Sequence, residues 1–152
     1  TVIIKWAREY NASLTLYTVN GAYVETEYLG WVRYGEVITN ASINGFIYEL
    51  KTPLIINNVN NTAILNAKYM VLSIKDSLGL PEPFTQVIIK CGSQELSSVT
   101  NAYGITQRLL VPLNARCIIE APTIGYYSIA LITVATLIAV LVIIRLIRAS
   151  TP

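Results

Sequence analysis

The residues able to do chemistry are few, and the chain of 152 residues has no histidine. The commonest general base near neutral pH and the commonest zinc ligand are therefore absent, and with them Ser-His and Cys-His nucleophile pairs. Glu25 and Glu27 share one face of a predicted strand, but a solvated face explains them better than a metal site, because calcium cages gather several carboxylates in one loop. No motif places a serine on a strained turn. We therefore expect no enzymatic activity, no catalytic residue, no metal site and no cofactor.

Cys91 and Cys117 are the two cysteines of the chain. Both belong to predicted strands in the part of the chain assigned below to the exterior, where thiols oxidise. A disulfide between them closes a loop of about 26 residues and is expected to stabilise the fold by roughly 3 to 4 kcal/mol in the chain-entropy model. Two buried free cysteines are the alternative.

Three sequons are present: Asn11-Ala12-Ser13, Asn40-Ala41-Ser42 and Asn60-Asn61-Thr62. Some sequons arise by chance in a chain so rich in Asn, Ser and Thr. An exterior location makes N-linked glycosylation of at least one of Asn11, Asn40 and Asn60 the expectation.

The C-terminal part of the chain predicts a membrane crossing. Residues 124–144 read IGYYSIALITVATLIAVLVII, 21 residues without a charge, which span ~31 Å as a helix. A buried core helix is the alternative, but a run that is apolar on every face would need a larger protein to cover it. We therefore assign residues 122–147 to a transmembrane helix.

The residues at the two ends of this helix indicate its direction. Tyr126 and Tyr127 lie where an aromatic belt meets one membrane interface, and Arg145 and Arg148 lie at the other. The positive-inside rule then places the short tail, residues 148–152, in the cytoplasm and the N-terminal region outside the cell.

Three small residues, Ser128, Ala135 and Ala139, fall near one face of the predicted helix. The spacing of the two alanines would let a second helix approach closely, although alanine is common in any membrane helix. The segment has no ionisable residue of the kind that marks ion and proton paths. It therefore predicts an anchor and not a pore.

The region before the helix is predicted to be mainly β, because short β-branched and aromatic stretches recur between turn residues. The predicted strands are residues 2–6, 14–19, 22–28, 36–39, 46–50, 54–57, 63–66, 69–74, 86–91, 95–99, 105–110 and 115–120. Their spacing is typical of a β-sandwich.

An internal similarity suggests two tandem modules. Thr39-Asn40-Ala41 and Thr100-Asn101-Ala102 are each followed by a glycine, a predicted strand and Pro-Leu. This pattern predicts a β-rich module over residues 1–68 and a β-sandwich module over residues 69–121. A single irregular sandwich with a chance similarity is the alternative.

The second module carries a set of turn motifs over about fifty residues, from about 70 to 120. Residues 72–83 read LSIKDSLGLPEP, with Asp76-x-x-Gly79-x-Pro81 after a strand, and residues 100–104 read TNAYG. This arrangement resembles the carboxypeptidase-regulatory-like, transthyretin-like (Ig-like) β-sandwich modules of secreted and archaeal cell-surface proteins. The chain differs at Asn101, where that family usually has Asp, and at residues 111–114, where a Pro-Gly turn is usual. The resemblance implies a seven-strand sandwich that serves as a spacer or binding module and brings no catalytic residue.

Composition limits the classes of partner. The chain is 53% hydrophobic and 13% charged, with a net charge of +2, whereas soluble domains are about 25% charged. The eleven Lys and Arg residues are scattered, so nucleic acid is excluded as an expected partner. Ten tyrosines and two tryptophans suit protein contacts. The richness in Ile, Tyr and Asn favours an archaeal surface protein.

These observations predict a single-pass glycoprotein of the cell membrane with a structural, scaffolding or adhesion role. Its expected partners are the lipid bilayer, N-linked glycan, and other surface or membrane proteins, copies of itself included. Two alternatives remain open: an accessory subunit of a transporter, translocation or respiratory complex, and a filament or lattice subunit that assembles by adding the N-terminal strand TVIIKWA to a neighbour. The start at Thr1 is compatible with signal-peptide cleavage and with a fragment of a longer protein.

Overall fold

The structure, a computed structural model, describes residues 8–150. The predicted strand 2–6 lies outside the described residues. Within them the elements are β1 (Glu9–Tyr17), β2 (Tyr23–Arg33), β3 (Val37–Ile43), β4 (Phe46–Ile55), β5 (Asn60–Ile64), β6 (Ala67–Met70), β7 (Gln86–Cys91), β8 (Gln94–Val99), β9 (Leu109–Pro112), β10 (Cys117–Glu120) and α1 (Tyr126–Ser150). The prediction of a mainly β fold with one C-terminal apolar helix is confirmed.

The strands form four small sheets in the described chain, with orders β2-β1-β5, β10-β7-β8, β3-β4 and β6-β9. β1 pairs antiparallel with β2 and parallel with β5. The chain divides into two compact units that are not contiguous in sequence. The first comprises the residues up to Met70 with Lys90–Leu96 and Leu109–Ile118, and the second comprises Val71–Ile89, Ser97–Arg108 and the residues from Ile119 onward.

The core of the first unit follows from alternation along its strands. In β1, Ala12, Leu14 and Leu16 are buried and the residues between them are not, as expected for a strand with one face against a core. In β4, the ring centroids of Phe46 and Tyr48 lie 4.6 Å apart. The Tyr48 hydroxyl donates a hydrogen bond of 2.7 Å to the carbonyl of Leu110, and burial raises the pKa of Tyr48 to about 12.

The interior of the second unit mixes apolar and polar side chains. Ile74, Val87 and Ile89 are buried there. So are five polar residues, Asp76, Glu82, Thr100, Thr106 and Ser128. Buried polar groups cost free energy unless they are hydrogen-bonded, and the bonds of these residues define the candidate site below.

Several predicted strands differ from those observed. The predicted strands 46–50 and 54–57 are one strand, β4, which runs through Pro53. Proline is tolerated there because Pro53 lies in an irregularity of the β3–β4 pairing, between the pairs Ile38–Leu54 and Asn40–Glu49, and proline is accepted at such bulges. The internal similarity is not matched in structure either: Thr39-Asn40-Ala41 lies in β3, whereas Thr100-Asn101-Ala102 leads into a turn.

The helix α1 is long and apolar enough to cross a membrane, and its apolar stretch is not buried inside the protein. It starts at Tyr126, four residues after the predicted limit of residue 122. Gly125 is the N-cap residue, since its carbonyl accepts the first helical bond, from the Ile129 N–H at 3.1 Å. Within the described residues it continues to Ser150, beyond the predicted limit of residue 147, since Arg145 and Arg148 are good helix formers.

Candidate functional site

The start of the helix is bound to a carboxylate of the same unit. The Oδ2 atom of Asp76 accepts a hydrogen bond of 3.0 Å from the Gly125 N–H and another from the Ser128 hydroxyl. The N-terminal end of a helix has N–H groups without helical partners and carries a partial positive charge. A carboxylate at this position satisfies both needs, so Asp76 acts as the cap of α1 from 49 residues upstream.

Asp76 is held in place by its own turn, residues 76–80, called here the first turn. Its Oδ1 atom accepts hydrogen bonds from the N–H groups of Leu78 at 3.0 Å and Leu80 at 3.1 Å. The Asp76 N–H donates to the Leu80 carbonyl at 2.9 Å, and Gly79 supplies a φ of 83°, which glycine adopts without strain. Both carboxylate oxygens are thus occupied. The hydrogen bond from Ser128 is the main reason that the pKa of Asp76 is lowered, with the three backbone N–H groups adding to it and burial opposing it.

A second turn, residues 101–105, has the same construction. The Oδ1 atom of Asn101 accepts from the N–H groups of Tyr103 at 2.9 Å and Ile105 at 3.1 Å. The Asn101 N–H donates to the Ile105 carbonyl at 2.9 Å, and the Gly104 N–H donates to the Asn101 carbonyl at 3.0 Å. An amide oxygen therefore does in the second turn what a carboxylate oxygen does in the first, and the presence of Asn instead of Asp leaves the turn intact.

The second turn also reaches the helix and the segment beside the first turn. The Tyr127 hydroxyl donates a hydrogen bond of 2.8 Å to the carbonyl of Ala102. The Ile74 N–H donates to the Gly104 carbonyl at 2.8 Å. A Cβ on Gly104 would lie 2.7 Å from the Ile74 carbonyl oxygen, so only glycine permits this approach. Both turns are therefore hydrogen-bonded to the start of α1.

Glu82 packs against Gly125, at the start of α1. It is fully buried, and neither of its carboxyl oxygens has a hydrogen-bond partner among the described residues. A Cβ placed on Gly125 would be 2.8 Å from the Cγ of Glu82. Burial raises the pKa of Glu82, and the nearby charge of Asp76 raises it further. We call the group formed by Asp76, Glu82, Gly125, Ser128 and the two turns the joint.

Only part of the joint is predictable from the sequence. The motifs at Asp76 and Asn101 predict turns, but not bonds to the helix. Nothing predicts the role of Glu82, because an isolated glutamate between two prolines has no pattern that predicts burial. A polar residue near the N-terminus of an otherwise apolar helix, such as Ser128, is the one signal that indicates a contact there.

Ser128 requires a correction. The sequence placed it with Ala135 and Ala139 on a face for packing against a second helix. In the structure Ser128 is fully buried and its hydroxyl is donated to Asp76, so it is not available to another helix. Ala135 and Ala139 are exposed.

The other predicted site residues lie as follows. The Sγ atoms of Cys91 and Cys117 are 2.08 Å apart, the distance of a disulfide bond. Asn11, Asn40 and Asn60 are all exposed. The Asn11 amide oxygen accepts a hydrogen bond from the Tyr28 hydroxyl, and that of Asn60 accepts one of 3.2 Å from the Ser13 hydroxyl.

The residues predicted to lie at the membrane interfaces are in α1, and the two glutamates of the predicted strand are in β2. Tyr126 and Tyr127 begin α1, and Arg145 and Arg148 lie near its end, all of them exposed. Glu25 and Glu27 are half-buried in β2, where burial and the charge of Glu25 raise the pKa of Glu27.

Over residues 8–150, no group of three or more His, Cys, Asp and Glu side chains could hold a metal ion.

The first unit exposes a set of aromatic side chains, which we call the aromatic face. Tyr23, Tyr28, Trp31 and Tyr34 are each more than half exposed, and Tyr28 and Trp31 exceed 70%. Tyr34 lies 6.3 Å from Tyr10, measured between ring centroids. Large exposed aromatics with polar atoms at their tips are enriched where proteins bind one another.

Comparisons with known proteins give no assignment of the site. No family model, no curated protein and no solved structure matches the chain. Apart from the Glu82 carboxyl group, the buried polar side chains of the joint bind backbone groups or one another, and each oxygen of Asp76 is already engaged. Such an arrangement holds two elements in a fixed geometry.

Proposed function

We propose that this chain is a single-pass membrane protein whose β-rich region lies outside the cell and has a structural, scaffolding or adhesion role at the cell surface. The observation that carries the proposal is α1: a helix of 25 residues whose apolar side chains are exposed along its length. Exposed apolar surface of this extent needs lipid or a partner to cover it. A bilayer core of about 30 Å matches the length of such a helix.

Two further features support the extracellular side. A bonded pair of cysteines is typical of proteins that fold in an oxidising compartment. The two arginines near the end of α1 favour a cytoplasmic location for that end. The three sequons then lie on the side where N-linked glycan is attached, and their asparagines are exposed.

The joint supports a structural role. A helix anchored through a flexible linker would leave the exterior region free to rotate. Here the connection between β10 and α1 is itself bonded: the N–H and the hydroxyl of Ser77 both donate to the Thr123 carbonyl, at 3.0 and 2.9 Å. Together with the cap by Asp76, this fixes the second unit on its helix.

We also propose that residues from about 70 to 120 form a carboxypeptidase-regulatory-like, transthyretin-like module. The support is local. The two motifs that carry the resemblance, at Asp76 and at Asn101, fold into turns with the same four hydrogen bonds. A module of this class would serve as a spacer or as a binding surface.

The aromatic face favours a second candidate function, that of an accessory subunit in a larger membrane complex. Four exposed rings on one unit are more than a solitary spacer requires, and a partner would cover them. The two functions differ in what remains bound to the chain after extraction from the membrane.

The sidedness can be measured with a matched pair of serine substitutions. Ser97 and Ser150 are both exposed, so Ser97→Cys and Ser150→Cys each add one reactive thiol beside the native disulfide. We expect a membrane-impermeant maleimide to label S97C on intact cells and S150C only after permeabilisation. The reverse pattern would contradict the proposed orientation, and equal labelling of both would contradict a membrane crossing.

The role can be measured by extracting the chain from its native membrane in mild detergent and identifying what stays bound. Surface proteins or copies of this chain are expected for a scaffold. Stoichiometric polytopic subunits would instead establish the accessory-subunit function. Tyr28→Ser combined with Trp31→Ser should release a partner bound at the aromatic face, whereas Val99→Ser, on the second unit, should not.

A further inference from the structure

We propose that Glu82 is a proton-operated latch on the joint: the neutral side chain allows α1 to stay docked on the second unit, and the ionised side chain releases it. The proposal goes beyond an anchoring role. It rests on a fully buried glutamate that packs against the start of the helix and whose two carboxyl oxygens have no hydrogen-bond partner in residues 8–150.

The backbone of Glu82 prevents the residue from moving out of the joint. Its N–H donates to the Ile74 carbonyl at 3.0 Å. Its carbonyl accepts a hydrogen bond of 2.6 Å from the Thr100 hydroxyl. Gly125 then packs on the Cγ atom, where an added Cβ would come within 2.8 Å. The backbone of Glu82 is thus fixed, and the start of the helix is a direct cover of its side chain.

Ionisation of Glu82 in the closed joint is opposed by two effects. A buried carboxylate loses its hydration, and no hydrogen bond from the described part of the chain replaces it here. The side chain also lies near Asp76, whose charge raises the pKa of Glu82. Asp76 cannot give up its own charge easily, since the bonds from Ser128 and from backbone N–H groups stabilise the ionised form and lower its pKa.

The other titratable groups on the elements packed against Glu82 are Lys75, Tyr103, Tyr126 and Tyr127. All four side chains are exposed. None is hydrogen-bonded to the Glu82 carboxyl. Among the described residues, Asp76 is therefore the charged group that acts on Glu82 in the closed joint.

The sign of the pH effect follows from the two carboxyl groups. When the joint is closed, the pKa of Glu82 is raised above its usual value of 4.5. The closed form is therefore most stable below pH 4.5, and its stability relative to the open form decreases as the pH rises above 4.5. Each pH unit between 4.5 and the raised pKa shifts the opening equilibrium up to tenfold, after which the effect levels off. Asp76 acts in the opposite direction, below its usual pKa of 3.8. The joint is therefore tightest in a mildly acidic medium.

The test uses amide hydrogen exchange of the full chain in detergent micelles, read by NMR at Gly125 and Ile129. Exchange is divided by the intrinsic rate at each pH to give an opening constant, between about pH 5 and pH 8. In the unmodified chain we expect the constant to rise with pH, by up to tenfold per unit. Glu82→Gln and Glu82→Met should both give a flat profile. Two neutral variants are used because the amide brings buried N–H groups of its own and Met does not.

Glu36→Gln is the matched control, because Glu36 is an exposed glutamate of the first unit. It should keep the slope of the unmodified chain. A flat profile in the unmodified chain would overturn the latch, as would an unchanged slope in both Glu82 variants. A ¹³C titration of the Glu82 carboxyl that gave a midpoint at or below the usual 4.5 would overturn it as well.

Discussion

Replacing Gly125 with alanine tests how closely the helix start packs against Glu82. An added Cβ would lie 2.8 Å from the Cγ of Glu82, 3.2 Å from its Cα and 3.3 Å from its Cβ. Contacts below 3.0 Å are essentially never found for real Cβ atoms. The main chain of Glu82 is held in place by hydrogen bonds to Ile74 and Thr100, and its side chain is fully buried. The strain must therefore appear as a loss of stability of the second unit.

The size of that loss follows from two opposing effects. Overpacking a tight interior with one extra carbon costs about 1 to 3 kcal/mol. Gly125 does not have a positive φ, so alanine fits the backbone there and restricts the unfolded chain, which returns about 0.4 to 1 kcal/mol. We expect Gly125→Ala to lower the free energy of unfolding by about 1 to 2 kcal/mol.

The assay is equilibrium unfolding of the full chain in mild detergent, followed by near-ultraviolet circular dichroism. The control is a double-mutant cycle with Glu82→Ala, which removes the Cγ atom from the contact. In that background Gly125→Ala should cost clearly less, since only the 3.2 and 3.3 Å contacts to the Cα and Cβ atoms of residue 82 remain. An equal cost in both backgrounds, or no cost in the unmodified chain, would show that Gly125 does not pack against Glu82 as described.

Three further predictions concern stability. Gly104→Ala should destabilise the second unit by about 2 to 4 kcal/mol, since alanine there has a strained φ of 75° and also a Cβ in close contact with its neighbours. Gly79→Ala has a similar φ of 83° but open space around the Cβ, so it should cost only about 1 kcal/mol, and denaturant unfolding compares the two variants. Cys91→Ser breaks the bond to Cys117 and should cost about 3 to 4 kcal/mol for a sequence separation of 26, and reductant should then have no further effect on the variant. Because the pKa of Asp76 is lowered in the fold, its ionised carboxylate stabilises the fold above pH 3.8, and this stabilisation is lost as the pH falls through the lowered pKa. Asp76→Asn should therefore be less stable than the unmodified chain near neutral pH and less sensitive to acid, which acid unfolding curves measure.

The local structure of the chain follows well from its sequence. Strand β7 has the predicted bounds, and the alternation in β1 places Leu14 and Leu16 in the core as a half-buried strand requires. The apolar helix was equally clear. These elements are predictable because each depends on residues that are neighbours in sequence.

The pairing of the strands was not predictable in the same way. β1 runs parallel to β5, with Ser13 opposite Asn60. Residues so far apart in sequence carry no mark of each other in a single chain. The same holds for β4, where Pro53 predicts an end but the strand continues, because the proline lies in an irregularity of the pairing with β3.

The candidate site divides along the same line. The Asp-x-x-Gly and Asn-x-x-Gly patterns predict turns, and turns are found at Asp76 and Asn101. That Asp76 reaches Ser128, 52 residues later, depends on tertiary structure. Small residues are ordinary in membrane helices, so Ser128 was interpreted as part of a helix-packing face.

The position of the cap connects the joint to the proposed anchoring role. The first N–H groups of a membrane helix emerge where water becomes scarce, and each unsatisfied group costs more there than in bulk water. Asp76 supplies an acceptor and a negative charge at that point, and the Tyr127 hydroxyl ties the same turn of helix to Ala102. The second unit thus contributes groups that the helix needs, and the helix contributes groups that Asp76 needs. A force applied to the second unit is passed to the helix through these bonds, which is the property that an anchored spacer requires and that a flexible linker would not give.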